Sequence, residues 1–171
     1  ITVNNSYTIG GSITGLNASG LVLQNNLGES LTISSGATSY TFSTPVAAGG
    51  SYSVVVTSQP TYLNCTVTGG AGTNLTANIS NANVSCSVPN YTLSINVTGI
   101  TGTGMSVISG TGQTLASISA NGALNFSTPI AAGTAYNVSV SIQPTTSYCI
   151  PSSPSGTISA ATTVTINCYN V

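Results

Sequence analysis

The chain of 171 residues contains no lysine, arginine, histidine or aspartate, and its single charged side chain is that of Glu29. A typical soluble domain has about 25% charged residues. General acid–base catalysis depends on His, Lys or carboxylate side chains, and nucleic-acid binding depends on Lys and Arg facing phosphates. Metal sites need clusters of His, Cys and carboxylates. We therefore expect no enzyme activity, no catalytic or metal site, no cofactor and no nucleic-acid partner.

Tryptophan is also absent, and no apolar run approaches the roughly 18 residues that a membrane-spanning helix requires. The longest apolar fragments are 21–23 and 54–56, so the sequence predicts no membrane span. The chain begins at Ile1 rather than Met. This start predicts a mature product whose signal peptide has been removed, and hence an extracellular or cell-surface location.

The residues that are present favour strands and turns. Val, Ile, Thr and Tyr fill the periodic segments, and 19 glycines separate them. In 136–142 apolar and polar residues alternate strictly, which gives a strand one apolar face and one polar face. Tyr52 and Tyr136, each followed by x-Val-x-Val, are expected to face a core. Asn137 is expected to point outward. The fold class is therefore predicted to be all-β.

The chain repeats itself after 84 residues. Residues 42–45, Phe-Ser-Thr-Pro, fall on 126–129, and 20 of the 54 pairs between Tyr7 and Pro60 and their counterparts are identical. A repeat of this length predicts two domains of one fold. We place β-sandwich repeats of about seven strands each at 7–87 and 91–171, joined by a linker at 88–90 and preceded by a spare segment at 1–6.

Four cysteines lie two per repeat at matching positions, and four cysteines allow three pairings. The repeat favours Cys65–Cys86 and Cys149–Cys168, each within its own domain. A zinc site would need closely spaced pairs such as Cys-x-x-Cys, which the sequence lacks. Disulfides again indicate an oxidising, extracellular environment.

Asparagine occurs in Asn-x-Ser/Thr sequons about twice as often as composition predicts. With 17 Asn and 54 Ser plus Thr in 171 residues, chance gives roughly 17 × 54/171, or about five sequons. Covalent N-glycans would supply the hydration that charges do not. The other interpretation is that Asn beside Ser and Thr reflects turns and strand exteriors. The ten predicted glycosylation sites are Asn4, Asn17, Asn64, Asn74, Asn78, Asn83, Asn90, Asn96, Asn125 and Asn137.

Several segments carry a family resemblance. Residues 15–26 read Gly-Leu-Asn-x-Ser-Gly-Leu-Val-Leu-Gln-Asn-Asn, and 42–56 read Phe-Ser-Thr-Pro-Val-Ala-Ala-Gly-x-x-Tyr-x-Val-x-Val, followed by Gln-Pro and Cys65. This pattern resembles tandem immunoglobulin-like repeats of secreted prokaryotic surface proteins, although those usually carry some charges. In overall character the chain is also similar to the glycosylated thread filaments of thermoacidophilic archaea (Sulfolobales), a resemblance that implies assembly by donor-strand exchange.

The segment 1–6 supports assembly independently. In the 84-residue register, Ile1, Thr2 and Val3 fall on the end of the last strand of repeat 1, and they alternate in the manner of a strand. Such a piece can pair with an open edge of a neighbouring copy. We therefore take Ile1, Thr2, Val3, Asn4 and Asn5 as the candidate polymerisation strand. A frayed terminus or an edge strand within its own domain explains the segment equally well.

These observations favour a structural subunit of an extracellular, N-glycosylated, pilus-like filament that assembles head to tail with copies of itself. The alternative is a non-polymerising adhesin or carbohydrate-binding sandwich that contacts other cells or surfaces. An enzyme is not expected, because Glu29 alone cannot form a carboxylate pair and falls in a predicted hairpin turn after Gly28.

Overall fold

The computed structural model of the chain describes residues 5–171, and this part consists of strands and turns with no helix. The prediction of an all-β fold with immunoglobulin-like sandwich domains is confirmed. The chain divides into two compact units, of which the first ends at Val88 and the second runs from Pro89 to Val171. Each unit is described by itself below, as domain 1 and domain 2.

Domain 1 contains seven longer strands and three strands of two residues. The strands are β1 (Ser6–Tyr7), β2 (Gly10–Thr14), β3 (Leu21–Asn25), β4 (Ser30–Ile33), β5 (Ser39–Thr41), β6 (Val46–Ala47), β7 (Tyr52–Ser58), β8 (Asn64–Thr68), β9 (Ala71–Gly72) and β10 (Asn83–Ser87). They form two four-stranded sheets, in the orders β5-β2-β10-β8 and β4-β3-β7-β9, and a small β1–β6 pair. β2 and β10 run parallel at the centre of their sheet, whereas the other pairs are antiparallel.

Domain 2 has the same order of elements. Its strands are β11 (Asn90–Tyr91), β12 (Leu93–Thr98), β13 (Met105–Ile108), β14 (Thr114–Ile118), β15 (Gly122–Asn125), β16 (Ile130–Ala131), β17 (Ala135–Asn137), β18 (Ser139–Ile142), β19 (Ser147–Ser152), β20 (Ser155–Thr157) and β21 (Thr162–Asn170). The sheet β15-β12-β21-β19 matches β5-β2-β10-β8, and β12 and β21 again run parallel. The counterpart of β7 is divided into β17 and β18 at Val138, which is fully buried.

The core of each domain is built from the inward-facing positions of both sheets. In domain 1, Ile9, Leu21, Leu23 and Phe42 are almost completely buried, and Tyr40 packs edge to face on Phe42 with ring centroids 5.7 Å apart. The corresponding core of domain 2 contains Leu93, Met105, Val107 and Phe126. Burial of each large apolar side chain contributes about 1.5–3 kcal/mol, so the sandwich is stabilised mainly by this alternation.

The central strand pair shows how the two cores differ. In domain 2, Ile95 lies opposite Val164 in a ladder of six residue pairs. At the corresponding position of domain 1, a Cβ on Gly11 would lie 2.1 Å from the carbonyl oxygen of Ala82. That same carbonyl accepts a hydrogen bond of 2.6 Å from the hydroxyl of Tyr40. Domain 1 therefore uses a small residue at 11 and a large one at 40 where domain 2 uses a large residue at 95.

The predicted core tyrosines cover glycines on the neighbouring strand. Tyr52 is opposite Gly72, and Tyr136 is opposite Gly156. A Cβ on Gly72 would lie 2.6 Å from a ring carbon of Tyr52, and one on Gly156 would lie 2.8 Å from the hydroxyl of Tyr136, so each tyrosine lies over its glycine. The Tyr52 hydroxyl donates to the carbonyl of Gly69 at 3.0 Å. The two tyrosines therefore have a packing role, as expected from the sequence.

Candidate assembly and glycosylation sites

Glu29 lies in the β3–β4 hairpin and fixes the loop that follows β5. Its Oε1 accepts bonds from the Ser43 hydroxyl at 2.7 Å and the Ser43 amide at 2.9 Å, and its Oε2 accepts the Thr44 amide at 2.7 Å. These bonds, first that of the Ser43 hydroxyl and then those of the two amides, lower the pKa of Glu29 from 4.5 to about 2. The carboxylate is therefore a structural acceptor.

Gln113 occupies the position of Glu29 in domain 2. Its Oε1 accepts the Thr128 amide at 2.8 Å, and its Nε2 donates to the Thr128 carbonyl at 2.9 Å. A neutral amide thus holds the same loop that the carboxylate holds in domain 1.

The described residues contain no cluster of His, Cys and carboxylates that could hold a metal ion. Within 5–171 there is also no helix long and apolar enough to cross a membrane.

Both disulfides that the repeat favours are present. Cys65 and Cys86 lie opposite each other on β8 and β10, and Cys149 and Cys168 lie opposite each other on β19 and β21. All four sulfurs point into the domain cores. The described residues leave no cysteine free. Each disulfide joins a central strand to an edge strand and stabilises its domain by roughly 3 kcal/mol in the chain-entropy model.

A glutamine clamps the outer edge beside each disulfide. The Oε1 of Gln59 accepts the Cys65 amide at 2.7 Å, and its Nε2 donates to the Cys65 carbonyl at 2.9 Å. Gln143 makes the same two bonds to Cys149, at 2.7 and 3.0 Å. Because these bonds lie on the side away from the central strand, the backbone groups two residues further on also face the open edge.

The residue at that next position differs between the domains. In β8 it is Val67, whose backbone offers both an N–H donor and a carbonyl acceptor to an added strand. In β19 it is Pro151, which has no N–H. The edge of domain 1 can therefore accept a further strand at a point where the edge of domain 2 lacks a donor.

A cleft of about 310 Å³ adjoins the edge of β8. It is lined by valines of β7 and by Cys65, Thr66 and Val67 of β8. β9 pairs with β7 at Tyr52 and Ser53, and the Gly70 carbonyl accepts the Val54 amide at 2.6 Å, so β7 is uncovered on this side only beyond Val54. Two strand edges and half-buried valines thus border one cleft. We call this cleft the β7–β8 edge.

The candidate polymerisation strand lies mostly outside the described residues, which begin at Asn5. The carbonyl of Asn5 accepts a bond of 2.8 Å from the Ala48 amide, and Ser6 pairs with Ala47 in β1–β6. In domain 2, the carbonyl of Pro89 accepts the Ala132 amide at 2.9 Å. Asn5 and Ser6 are therefore part of domain 1, whereas Ile1, Thr2, Val3 and Asn4 lie outside the described residues.

Nine of the ten predicted glycosylation sites lie within the described residues, and Asn4 lies outside them. Asn64 and Asn83 are on β8 and β10, and Asn96 and Asn125 are on the matching sheet of domain 2. The strands β3, β4 and β7 carry none, and among their counterparts β13, β14, β17 and β18 only β17 carries one, Asn137. The exposed sites are Asn17, Asn64, Asn74, Asn78, Asn90, Asn125 and Asn137, whereas Asn83 and Asn96 are half-buried.

Three of these asparagines use the amide oxygen in the fold. The Oδ1 of Asn78 accepts the Thr8 amide, that of Asn83 accepts the Ser12 amide and hydroxyl, and that of Asn125 accepts a serine hydroxyl. In the described part of the chain, no hydrogen bond uses the Nδ2 of a predicted glycosylation site. The nitrogen to which an N-glycan attaches is thus left available.

No protein-family model and no curated protein sequence matches the chain. Among solved structures, it is similar to the Bacillus anthracis TIE protein, with 11% identity and a TM-score of 0.49 over 95% of this chain and 34% of that one. It is also similar to a C-terminal fragment of the pilus adhesin SpaC from Lactobacillus rhamnosus GG, with 12% identity, a TM-score of 0.37 and 97% of each chain covered.

A third similar structure is the major pilin protein T3.2 of Streptococcus pyogenes, with 9% identity and a TM-score of 0.34 over 99% of this chain and 98% of that chain. The present chain spans about a third of the Bacillus anthracis protein. These identities and TM-scores are too low to transfer a function, so the function proposed below rests on the residues of this chain.

Proposed function

We propose that the chain is a structural subunit of an extracellular, N-glycosylated filament, comparable with the archaeal threads that its composition resembles. In this proposal the segment 1–4 of one copy adds as a strand to the β7–β8 edge of the next copy. The observation that carries the proposal is the pair of complementary features in domain 1. A short alternating segment precedes the domain, and an open strand edge with half-buried valines lies on it.

This contact joins two different surfaces of the same molecule, so it is heterologous and propagates from copy to copy. The scarcity of charge fits the same role, because copies with almost no net charge do not repel one another when densely packed. Glycans on the outer faces of β5-β2-β10-β8 and its counterpart would keep the polymer hydrated, while the strands β3, β4 and β7 carry no sequon.

Electron microscopy of the native secreted protein, before any denaturing step, tests the proposal. We expect long filaments from the intact chain and dispersed particles from a variant that lacks 1–4. A synthetic peptide of residues 1–6 should cap the acceptor edge and shorten the filaments. Dispersed particles from the intact chain would overturn the filament function and favour a surface-attached adhesin or carbohydrate-binding module.

Two matched substitutions test the acceptor edge. Val67→Pro gives domain 1 the residue that domain 2 already has, and we expect it to abolish filaments while domain 1 stays folded by circular dichroism. Pro151→Val is the matched change in domain 2 and should not abolish filaments, because the acceptor edge of domain 1 is untouched. Filaments of normal length from Val67→Pro would place the acceptor elsewhere.

Glycopeptide mass spectrometry shows which sequons carry glycans. The protein is digested with pepsin, because trypsin has no cleavage site in this chain.

A further inference from the structure

Two tyrosines stand side by side on the outer face of domain 2. Tyr148 on β19 is directly opposite Tyr169 on β21. Their neighbours Cys149 and Cys168 point into the core, so both rings point outward, and they are 51% and 60% exposed. Ile150, the next outward residue of β19, is 47% exposed. The outer face of domain 2 therefore presents two exposed aromatic rings and one aliphatic side chain on neighbouring positions of β19 and β21.

The fold does not require this surface, since domain 1 does without it. The counterparts of Tyr148, Tyr169 and Ile150 in domain 1 are Asn64, Ser87 and Thr66, all polar and exposed. A sheet with the same strand order and the same disulfide thus forms with a polar exterior. Adjacent exposed aromatic side chains lower solubility unless they have a partner. A binding role explains why domain 2 has them.

The surroundings of the rings indicate the chemistry of the ligand. Asn167 lies opposite Ile150, two residues from Tyr169 on the same face of β21. Its Oδ1 accepts the Thr98 hydroxyl at 3.0 Å, which leaves its Nδ2 as a donor. Domain 2 contains no charged side chain, because Glu29 is in domain 1. An ionic ligand would find no counter-charge here, whereas a neutral ligand with one apolar face and several hydroxyl groups matches the surface.

We propose that Tyr148, Tyr169 and Asn167 form a binding site for the pyranose ring of a neutral glycan. The C–H face of the sugar would stack on the electron-rich faces of the tyrosine rings, and the Asn167 amide would donate to a ring hydroxyl. This site is independent of the β7–β8 edge, and it does not depend on the filament function. The glycan belongs either to a foreign surface or to another copy of this chain.

The site is tested with the full chain made without glycosylation. The probes are cellobiose, maltotriose and N,N′-diacetylchitobiose at millimolar concentration, and saturation-transfer NMR detects binding. We expect transfer to the ring C–H protons of at least one probe. The double variant Tyr148→Asn, Tyr169→Ser, which copies domain 1, should raise the Kd at least about tenfold because both stacking surfaces are lost. Absence of transfer to all three probes would overturn the proposal.

Two further variants separate stacking from a general structural effect. Replacement of both tyrosines by Phe keeps the rings and should retain binding. Tyr62→Thr removes an exposed tyrosine of domain 1 and should leave the Kd unchanged. A Kd in the Asn/Ser double variant equal to that of the intact chain, with both proteins folded by circular dichroism, would contradict the site.

Sedimentation distinguishes the two sources of the glycan. It also tests whether this face is instead a protein–protein contact. If another copy supplies the sugar, the glycosylated chain should associate through this face, and enzymatic deglycosylation or the Asn/Ser double variant should each remove that association. If the sugar is foreign, the unglycosylated chain binds the probes and neither treatment changes association. Loss of association in the unglycosylated double variant, without any sugar binding, would instead make this face a protein–protein contact and overturn the proposal.

Discussion

The two domains share their strand order and differ most at their edges and outer faces. Both have the same parallel central strand pair, a disulfide at the same register and a glutamine clamp beside it. They differ in edge residues and outer faces, where Val67 corresponds to Pro151 and Asn64 corresponds to Tyr148. The inward positions therefore define the fold, whereas the outward and edge positions are free to give each domain a separate role.

The loop after β5 shows that a charge is not needed for its structural task. Glu29 accepts three hydrogen bonds in domain 1, and Gln113 makes two in domain 2 by donating as well as accepting. The amide reaches the backbone carbonyl of Thr128, which a carboxylate cannot approach favourably. The only charged side chain of the protein therefore has a neutral counterpart that holds the equivalent loop of domain 2.

Substitutions in the central strands should destabilise the two domains most strongly. Gly11→Ala should destabilise domain 1 by about 3 kcal/mol, because its Cβ would collide with the Ala82 carbonyl. Ile95→Ala should destabilise domain 2 by about 3 kcal/mol for the opposite reason, since it leaves a cavity. Hydrogen exchange of the amides of β2 and β12 reports the two domains separately.

A glycine with free space serves as the control for this pair. A Cβ on Gly28 would meet its nearest backbone atom, the Asn25 carbonyl oxygen, at 3.5 Å. Gly28→Ala should therefore leave exchange in both domains almost unchanged. Equal exchange rates in Gly11→Ala and the intact chain would show that β2 and β10 are not packed as closely as described.

Replacement of the two clamp glutamines should destabilise the two domains to a smaller and equal extent. Gln59→Ala and Gln143→Ala each remove two hydrogen bonds to a cysteine backbone at a partly solvated edge, so each should destabilise its own domain by about 1 kcal/mol. The measurement is urea unfolding of each variant, with exchange of the β8 and β19 amides. A clear difference between the two variants would mean that the clamps are not equivalent.

The smallest effect concerns acid. The folded-state pKa of Glu29, about 2, lies below its ordinary value of 4.5, so ionisation favours the folded state. The contribution is complete above pH 4.5 and is lost as the pH falls towards 2. Exchange in domain 1 should therefore accelerate over this range, and in domain 2 it should not. Glu29→Gln should remove the pH dependence, and a persistent acceleration would assign it to another group.

Sequence predicted the fold because both of its main signals are periodic. Alternation set the inner and outer faces, and the 84-residue repeat set the domain organisation and favoured the cysteine pairs that the structure contains. The three short strands of each domain were not predicted, since two or three paired residues leave no periodic pattern. The segment 1–6 was read as one unit, yet Asn5 and Ser6 bond within domain 1.

The outer face of domain 2 and the roles of Glu29 and Gln113 were harder to predict, although the sequence contains a signal for each. The alternation of side chains along a strand places Tyr148 and Tyr169 outward, because each adjoins an inward cysteine of a disulfide. The repeat register aligns Glu29 with Gln113, and 14 or 15 residues separate each from the backbone that it holds. The combination of a small residue at Gly11 with a large one at Tyr40 could not be predicted from the sequence, because it depends on the distance between strands that are remote in the sequence.

Pro151 has a consequence for the connectivity of any polymer that this chain forms. A monomer with one donor segment and one matching acceptor has two functional ends, and such monomers grow only into linear chains. A second acceptor on domain 2 would make the monomer trifunctional, and such monomers grow into branched chains. By removing one N–H from the edge of β19, the proline favours an unbranched thread.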